Sequence, residues 1–149
     1  MSVSKNSCKA KYLEELGPTV GSKLLKKEPD PQPCGRQNCL PCRTKPGVCQ
    51  RQSCIYKLVC NICKKESREK PAVYIGESAR TPFDRGYEHL KLMEREDKES
   101  PAVEHTQEEH PGQETSFSME VSNFPRTTLQ RQAMEGHFIR LFEMLKTTA

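Results

Sequence analysis

The cysteines constrain this chain more than any other feature of its sequence. Two Cys-x-x-Cys pairs, Cys39/Cys42 and Cys60/Cys63, fall within a stretch of thirty residues. Two intervening residues let both thiolates reach one tetrahedral ion, and such pairs are typical of zinc knuckles. The segment 34–54 has many cysteines and few large apolar residues, so it cannot bury a core of its own. We therefore expect this segment to fold around a metal ion.

The cysteines and histidines divide into two candidate ligand groups. The second Cys-x-x-Cys pair needs two more ligands, and two downstream histidines have the x4 spacing of a zinc-binding pair. Cys54 competes for that role, and free reduced thiols are the alternative to metal binding. We expect one or two structural Zn²⁺ ions, and Cys8 as a lone free thiol. The predicted ligands are Cys34, Cys39, Cys42 and Cys49 in the first group, and Cys60, Cys63, His105 and His110 in the second.

Length and composition predict one domain with appendages. The chain has 149 residues and a hydrophobic content of 34%, so its core must be modest. Residues 1–33 are basic and rich in proline, and we expect a disordered linker there. The segment 34–53 is the predicted zinc knuckle, and 54–149 is the main domain.

The distribution of charge suggests what the chain binds, and the lack of long apolar segments suggests where it is located. The net charge is +4, with the basic excess in the first half and an acidic stretch over 94–120. A basic half beside an acidic, metal-capable half suits a polyanionic substrate, although a solvated surface is the alternative. We see no run of eighteen apolar residues and no secretory signal, so we expect an intracellular, reducing location without membrane contact.

Local patterns predict an α+β fold with element order ββααβα. Period-two alternation indicates strands, while Thr81-Pro82 and Ser100-Pro101 are helix starts. The short connector between the first two strands leaves no room for a crossover helix, so we expect a small three-stranded antiparallel sheet flanked by helices. The predicted strands are Ile55–Val59, Ala72–Gly76 and Ser116–Ser122, and the long helices run to about Met93 and, from Thr127 or Thr128, to about Lys146.

Two positions on the first long helix could do chemistry. Arg85 and His89 are four residues apart and project from one helix face. A guanidinium can clamp a phosphate, and an imidazole can move a proton. The alternative is a solvated face. We expect the helix to be anchored by the residues that point the other way, which are Phe83, Tyr87 and Leu90.

The last helix carries a carboxylate on its apolar side. Glu135 lies in the sector of Phe138, Ile139 and Phe142, where a charge is costly unless it is paired or binds a cation. The alternative is a rim glutamate paired with Arg131. The apolar stripe that we expect to pack on the sheet is Met134, Phe138, Leu141, Phe142 and Leu145.

Taken in order, these elements resemble the GIY-YIG nuclease family. The matching residues are Ile55-Tyr56, Tyr74-Ile75-Gly76, Arg85, His89 and Glu135, with Cys54 where the family often has glycine. The run Tyr74-Ile-Gly-Glu-Ser-Ala-Arg80, followed by Glu88-His89, is most similar to the GIY-YIG domains of Penelope-like retroelements. Those domains also have a Cys-Cys pair inside the core and histidines downstream.

The resemblance implies a metal-dependent DNA endonuclease, and we expect its location to be nuclear. By that resemblance, Tyr56 and Tyr74 would activate or position water. Arg85 would stabilise the charge that develops on the phosphate, and His89 would assist proton transfer. Glu135 would hold one Mg²⁺ or Mn²⁺. The alternatives are a non-catalytic zinc module that binds nucleic acid or protein, as a decayed nuclease, and a structure-specific repair nuclease of the same superfamily. We expect a detached piece of a retroelement protein or a stand-alone relative.

Overall fold

A computed structural model describes residues 30–147, with side chains as far as Leu145. The chain from Pro31 onward forms one compact unit. The expected disordered linker, apart from its last few residues, and Cys8 lie outside the described part of the chain.

Three antiparallel strands form the sheet that the sequence predicts. These are β1 (Cys54–Cys60), β2 (Val73–Ser78) and β3 (Phe117–Asn123), in the spatial order β2-β1-β3. The central strand β1 is buried at six of its seven positions, because it has a neighbour on both edges and packing on both faces. Its burial on both faces therefore does not follow the period-two alternation from which the strand was predicted.

Three of the helices are the predicted ones and two are additional. The additional helices are α1 (Leu40–Thr44) and α2 (Asn61–Lys65), each a little over one turn long. Helix α2 begins in the Cys60-x-x-Cys63 turn, where the Cys60 sulfur accepts a hydrogen bond from the Cys63 amide at 3.4 Å. The other helices are α3 (Pro82–Glu94), α4 (Pro101–Glu109) and α5 (Thr128–Thr147).

Local capping explains where the long helices begin. The Thr81 hydroxyl accepts a hydrogen bond from the Asp84 amide at 3.2 Å, and proline occupies the first position of α3. The Thr127 hydroxyl accepts from the Gln130 amide at 3.1 Å, so α5 begins at Thr128. Both starts are those that the sequence predicts.

The inward faces of α3 and α5 differ in part from the sequence prediction, although the expected anchor Leu90 does pack against the core. Helix α3 buries Pro82, Gly86, His89 and Met93, whereas the expected anchor Tyr87 is 43% exposed. The reason is Gly86, which lets the helix approach Leu40 and Pro41 of α1 so closely that a β-carbon would lie 3.2 Å from each. On α5 the prediction fails at two positions of the stripe: Leu141 and Leu145 are 42% and 58% exposed.

The Cys-rich segment shares the core of the sheet. Leu40 is buried in one cluster with Tyr56, Leu58, Met119 and their neighbours. Helix α1 packs on β3 and α3, so the knuckle and the main domain are joined by apolar contacts. Among the described residues, no helix has the length and apolar character needed to cross a membrane.

Candidate active site and metal-binding groups

One cleft collects the five residues singled out for chemistry. Its volume is about 260 Å³, and β1, β2, α3, α4 and α5 all contribute to its walls. The expected site residues on it are Tyr56, Tyr74, Arg85, His89 and Glu135. These residues come from four separate elements, so their meeting depends on the tertiary fold.

Strand register places both tyrosines on the same face of the sheet. Tyr56 is opposite Gly76, and Leu58 is opposite Tyr74. Directly opposed residues, and residues two apart on one strand, point to the same face. The two side chains therefore lie diagonally across the β1–β2 pair and can share one cleft.

A buried hydrogen-bonded network joins Tyr56 to helix α3. The Tyr56 hydroxyl oxygen lies 2.9 Å from His89 Nε2, and Arg85 Nε donates to the same oxygen at 2.9 Å. His89 is 9% exposed, so the alternative of a solvated histidine is wrong. Burial, followed by the charge of Arg85, lowers the pKa of His89 to about 4. The imidazole is thus neutral near pH 7, and the phenol can donate to it.

A chain of charges orients Arg85. Its Nη1 atom donates to the Glu88 carboxylate at 2.7 Å, and Arg80 forms an ion pair with the other oxygen of Glu88. Burial raises the pKa of Tyr56 even though the Arg85 hydrogen bond opposes this shift. Tyr56 therefore remains a phenol at rest, held between a guanidinium donor and an imidazole acceptor.

Glu135 faces the cleft beside a second carboxylate. Burial raises the pKa of Glu135, and the charge of Glu77 raises it further. Arg131 pairs with Glu77 instead of Glu135, so the expected alternative of an Arg131–Glu135 pair is wrong. Arg131 is 8% exposed, and its other contacts are the hydroxyls of Ser53 and Thr128, both at 3.4 Å.

Tyr74 has different surroundings from Tyr56. Its ring centroid lies 6.3 Å from that of His105 and 5.9 Å from that of Phe117. Burial is the main cause that raises its pKa, with the thiols of Cys60 and Cys63 among the lesser ones. Tyr74 thus lies between the cleft and the second candidate metal group.

The first candidate metal group lies in the knuckle. The sulfur atoms of Cys34, Cys39, Cys42 and Cys49 are all within 4.8 Å of one another. Burial acts to raise the pKa of Cys42, but hydrogen bonds from the Cys34 backbone, from neighbouring thiols and from the Gly47 backbone outweigh it and lower the pKa to about 7. Four such thiols could hold a metal such as zinc.

The second candidate metal group joins β1 and α2 to α4. Cys60, Cys63, His105 and His110 offer ligand atoms within 4.8 Å of one another, a Cys₂His₂ set that could hold zinc. His110 Nδ1 lies 3.2 Å from Glu66 Oε1, although without the geometry of a hydrogen bond. A carboxylate behind a ligating histidine is typical of metal sites. Cys54, the expected competitor, belongs to neither group.

Some cleft residues were not found from the sequence. Glu77 lines the cleft and pairs with Arg131 across 54 positions of sequence, and Ser100, Pro101 and Ala102 line the cleft from the start of α4. The only local signal for Glu77 was its position directly after Tyr74-Ile75-Gly76. Comparison of the chain with family models, curated proteins and solved structures found no match.

Proposed function

We propose that this protein is a metal-dependent DNA endonuclease with a GIY-YIG-type site. The observation that carries the proposal is the single cleft lined by all five residues that the sequence order singled out. Two tyrosines, a guanidinium, a neutral imidazole and a carboxylate around one opening suit hydrolysis of a phosphodiester.

Each side chain has a role that its contacts support. Arg85 is fixed by Tyr56 and Glu88, so its remaining N–H groups can bind a phosphate oxygen and stabilise the charge that develops on it. The Tyr56 hydroxyl can accept a proton from an attacking water as it passes its own proton to His89 Nε2. Tyr74, on the same sheet face, can position that water.

The carboxylates fit a hard divalent cation. Glu135 is half-buried, and its charge is destabilised by burial and by Glu77, so a cation there would be favoured. Mg²⁺ or Mn²⁺ bound by Glu135 would polarise the scissile phosphate. Glu77 retains its partner Arg131 and contributes negative potential to the same wall.

Plasmid cleavage with matched variants tests this proposal. Wild type is expected to nick supercoiled DNA in Mg²⁺ or Mn²⁺, and Glu135→Ala is expected to abolish nicking while leaving the far-UV spectrum unchanged. Glu143→Ala is the control, because Glu143 is exposed on the same helix two turns further on. Arg85→Lys should cost about a hundredfold in single-turnover rate, since an ammonium lacks the planar fork. Equal rates in all four proteins would overturn the proposal.

A non-catalytic zinc module is the second candidate function. It is favoured by the two ligand groups, which could organise the fold whether or not the cleft is active. It predicts zinc-dependent folding and nucleic-acid or protein binding without any metal-dependent nicking. The plasmid assay therefore separates the two functions.

A further inference from the structure

Two neighbouring aromatic rings, with one cation beside each, lie along the outside of α3. The rings of Phe83 and Tyr87 are stacked, with centroids 6.3 Å apart and planes inclined by 19°. The Arg36 guanidinium lies 4.0 Å from the centre of the Phe83 ring, and Lys91 Nζ lies 5.3 Å from that of Tyr87. We call these four residues the aromatic row.

The aromatic row is fixed relative to the cleft but lies outside it. Arg85 and His89 project from the same helix towards the cleft, while Tyr87 projects towards solvent. The Phe83 amide donates to the carbonyl of Cys49 at 3.0 Å, which ties the row to the knuckle. A ligand on the row would therefore be held at a constant offset from Arg85.

Charge around the row favours an anionic partner. The knuckle segment 34–53 contains four basic residues, Arg36, Arg43, Lys45 and Arg51, and no acidic residue. Lys91 is also paired with Glu94 at 3.2 Å, so Arg36 supplies most of the free positive charge at the row itself. The exposed ring of Tyr87, near the Arg36 guanidinium on the neighbouring Phe83, suits a ligand that has flat faces and phosphates.

We propose that the aromatic row binds an unpaired strand of the DNA substrate, next to the site of cleavage. An unpaired base stacks on Tyr87, because bases inside a duplex offer no free face, and Arg36 binds the adjoining phosphate. The inference rests on the proposed nuclease function for its choice of DNA. It narrows the substrate to DNA with a single-stranded segment near the cut.

Binding of labelled oligonucleotides without divalent metal tests the aromatic row. Tyr87→Ala and Arg36→Ala should each weaken binding of a single-stranded oligonucleotide about tenfold, as loss of one stacking or phosphate contact does, and change duplex binding little. Arg140→Ala, an exposed cation on α5, is the control. The chain contains no tryptophan, so Tyr87→Trp introduces a single indole whose fluorescence the strand should quench.

The outcomes separate this inference from the proposed function. Row variants with unchanged single-strand affinity, or an unquenched indole, overturn the inference even if wild type cleaves DNA. Loss of single-strand affinity in the row variants, in a protein that never cleaves DNA, sustains strand binding by the row but overturns the nuclease and, with it, the placement of the strand beside a cleavage site. Wild type that fails to bind single strands overturns the inference directly.

Discussion

The ring of Tyr56 lies over Gly76, its partner across the β1–β2 pair, in the space that a β-carbon would occupy. A β-carbon at position 76 would lie 2.5 Å from the Tyr56 hydroxyl oxygen and 2.6 Å from Cζ. The absence of a side chain at Gly76 is thus what lets the phenol reach both His89 and Arg85.

Replacing this glycine should displace the ring. Gly76→Ala is expected to lower the free energy of unfolding by about 1–3 kcal/mol, the usual cost of overpacking, and to reduce DNA cleavage by separating Tyr56 from His89. Gly136→Ala is the control, because a β-carbon there meets nothing within 4 Å and alanine favours a helix by up to about 1 kcal/mol. Urea denaturation of both variants measures the difference in their free energies of unfolding. Equal stability of the two variants would contradict the close approach of Tyr56 to Gly76.

Acidification should destabilise the fold through His89. Its pKa is lowered to about 4 by burial and then by Arg85, against an ordinary value of 6.5. As the pH falls below 6.5 the unfolded chain gains a proton there and the folded chain does not, so stability is lost down to about pH 4. The contribution is at most about 3 kcal/mol. His89→Gln should flatten the pH dependence of unfolding between pH 7 and 4.5, and parallel curves for the two proteins would contradict this.

Metal analysis should find two zinc ions per chain purified without chelator. Cys39→Ser and Cys63→Ser should each remove one, and Cys54→Ser should remove none, because Cys54 is buried but belongs to neither group. Cys39→Ser should also loosen α3, since the neighbouring Leu40 packs against Gly86. Zinc should be released as the pH falls, because its thiolate ligands take up protons. A zinc-free wild type would contradict the assignment of both groups.

Arg131 should anchor α5 against the sheet. Arg131→Met leaves the Glu77 carboxylate without its partner and is expected to cost about 1.5–3 kcal/mol of stability. The double variant Arg131→Met/Glu77→Gln should recover part of this loss, because the unpaired charge is removed. Hydrogen exchange should accelerate in α5 more than in α3. Hydrogen exchange that accelerates equally across the chain would contradict this prediction, because the pair would then stabilise the whole fold and not α5 in particular.

The sequence predicted those parts of the structure that local chemistry decides. Thr81 and Thr127 cap their helices with hydrogen bonds to residues three positions on, so the starts of α3 and α5 are visible in the sequence. The spacing of Arg85 and His89 places them on neighbouring parts of one helix face in any fold. The first and third strands were predicted from apolar alternation, and the burial of β3 follows that alternation over Phe117–Met119.

The features that the sequence did not predict depend on contacts between residues far apart in the chain. The inward face of α3 is set by the contact of Gly86 with Leu40, and no pattern within the helix encodes it. The Arg131–Glu77 pair likewise replaces the i, i+4 pair with Glu135 that spacing alone allows. The short helices α1 and α2 depend on the Cys-rich turns at which they begin. Each has five residues, which are too few to show the periodic apolar pattern that predicts a helix.

The Cys₂His₂ group also acts on chain connectivity. Its two cysteines precede β2 and its two histidines follow α3, so a bound ion would cross-link the chain around Tyr74, Arg85 and His89. Between α3 and α4 the exposed Arg95 and Lys98 offer sites for trypsin. A chain nicked there would be held together by the bound metal as well as by the pairing of β1 with β3, so chelation should weaken the association of the two fragments. The metal would thus prolong the lifetime of the cleft after proteolysis.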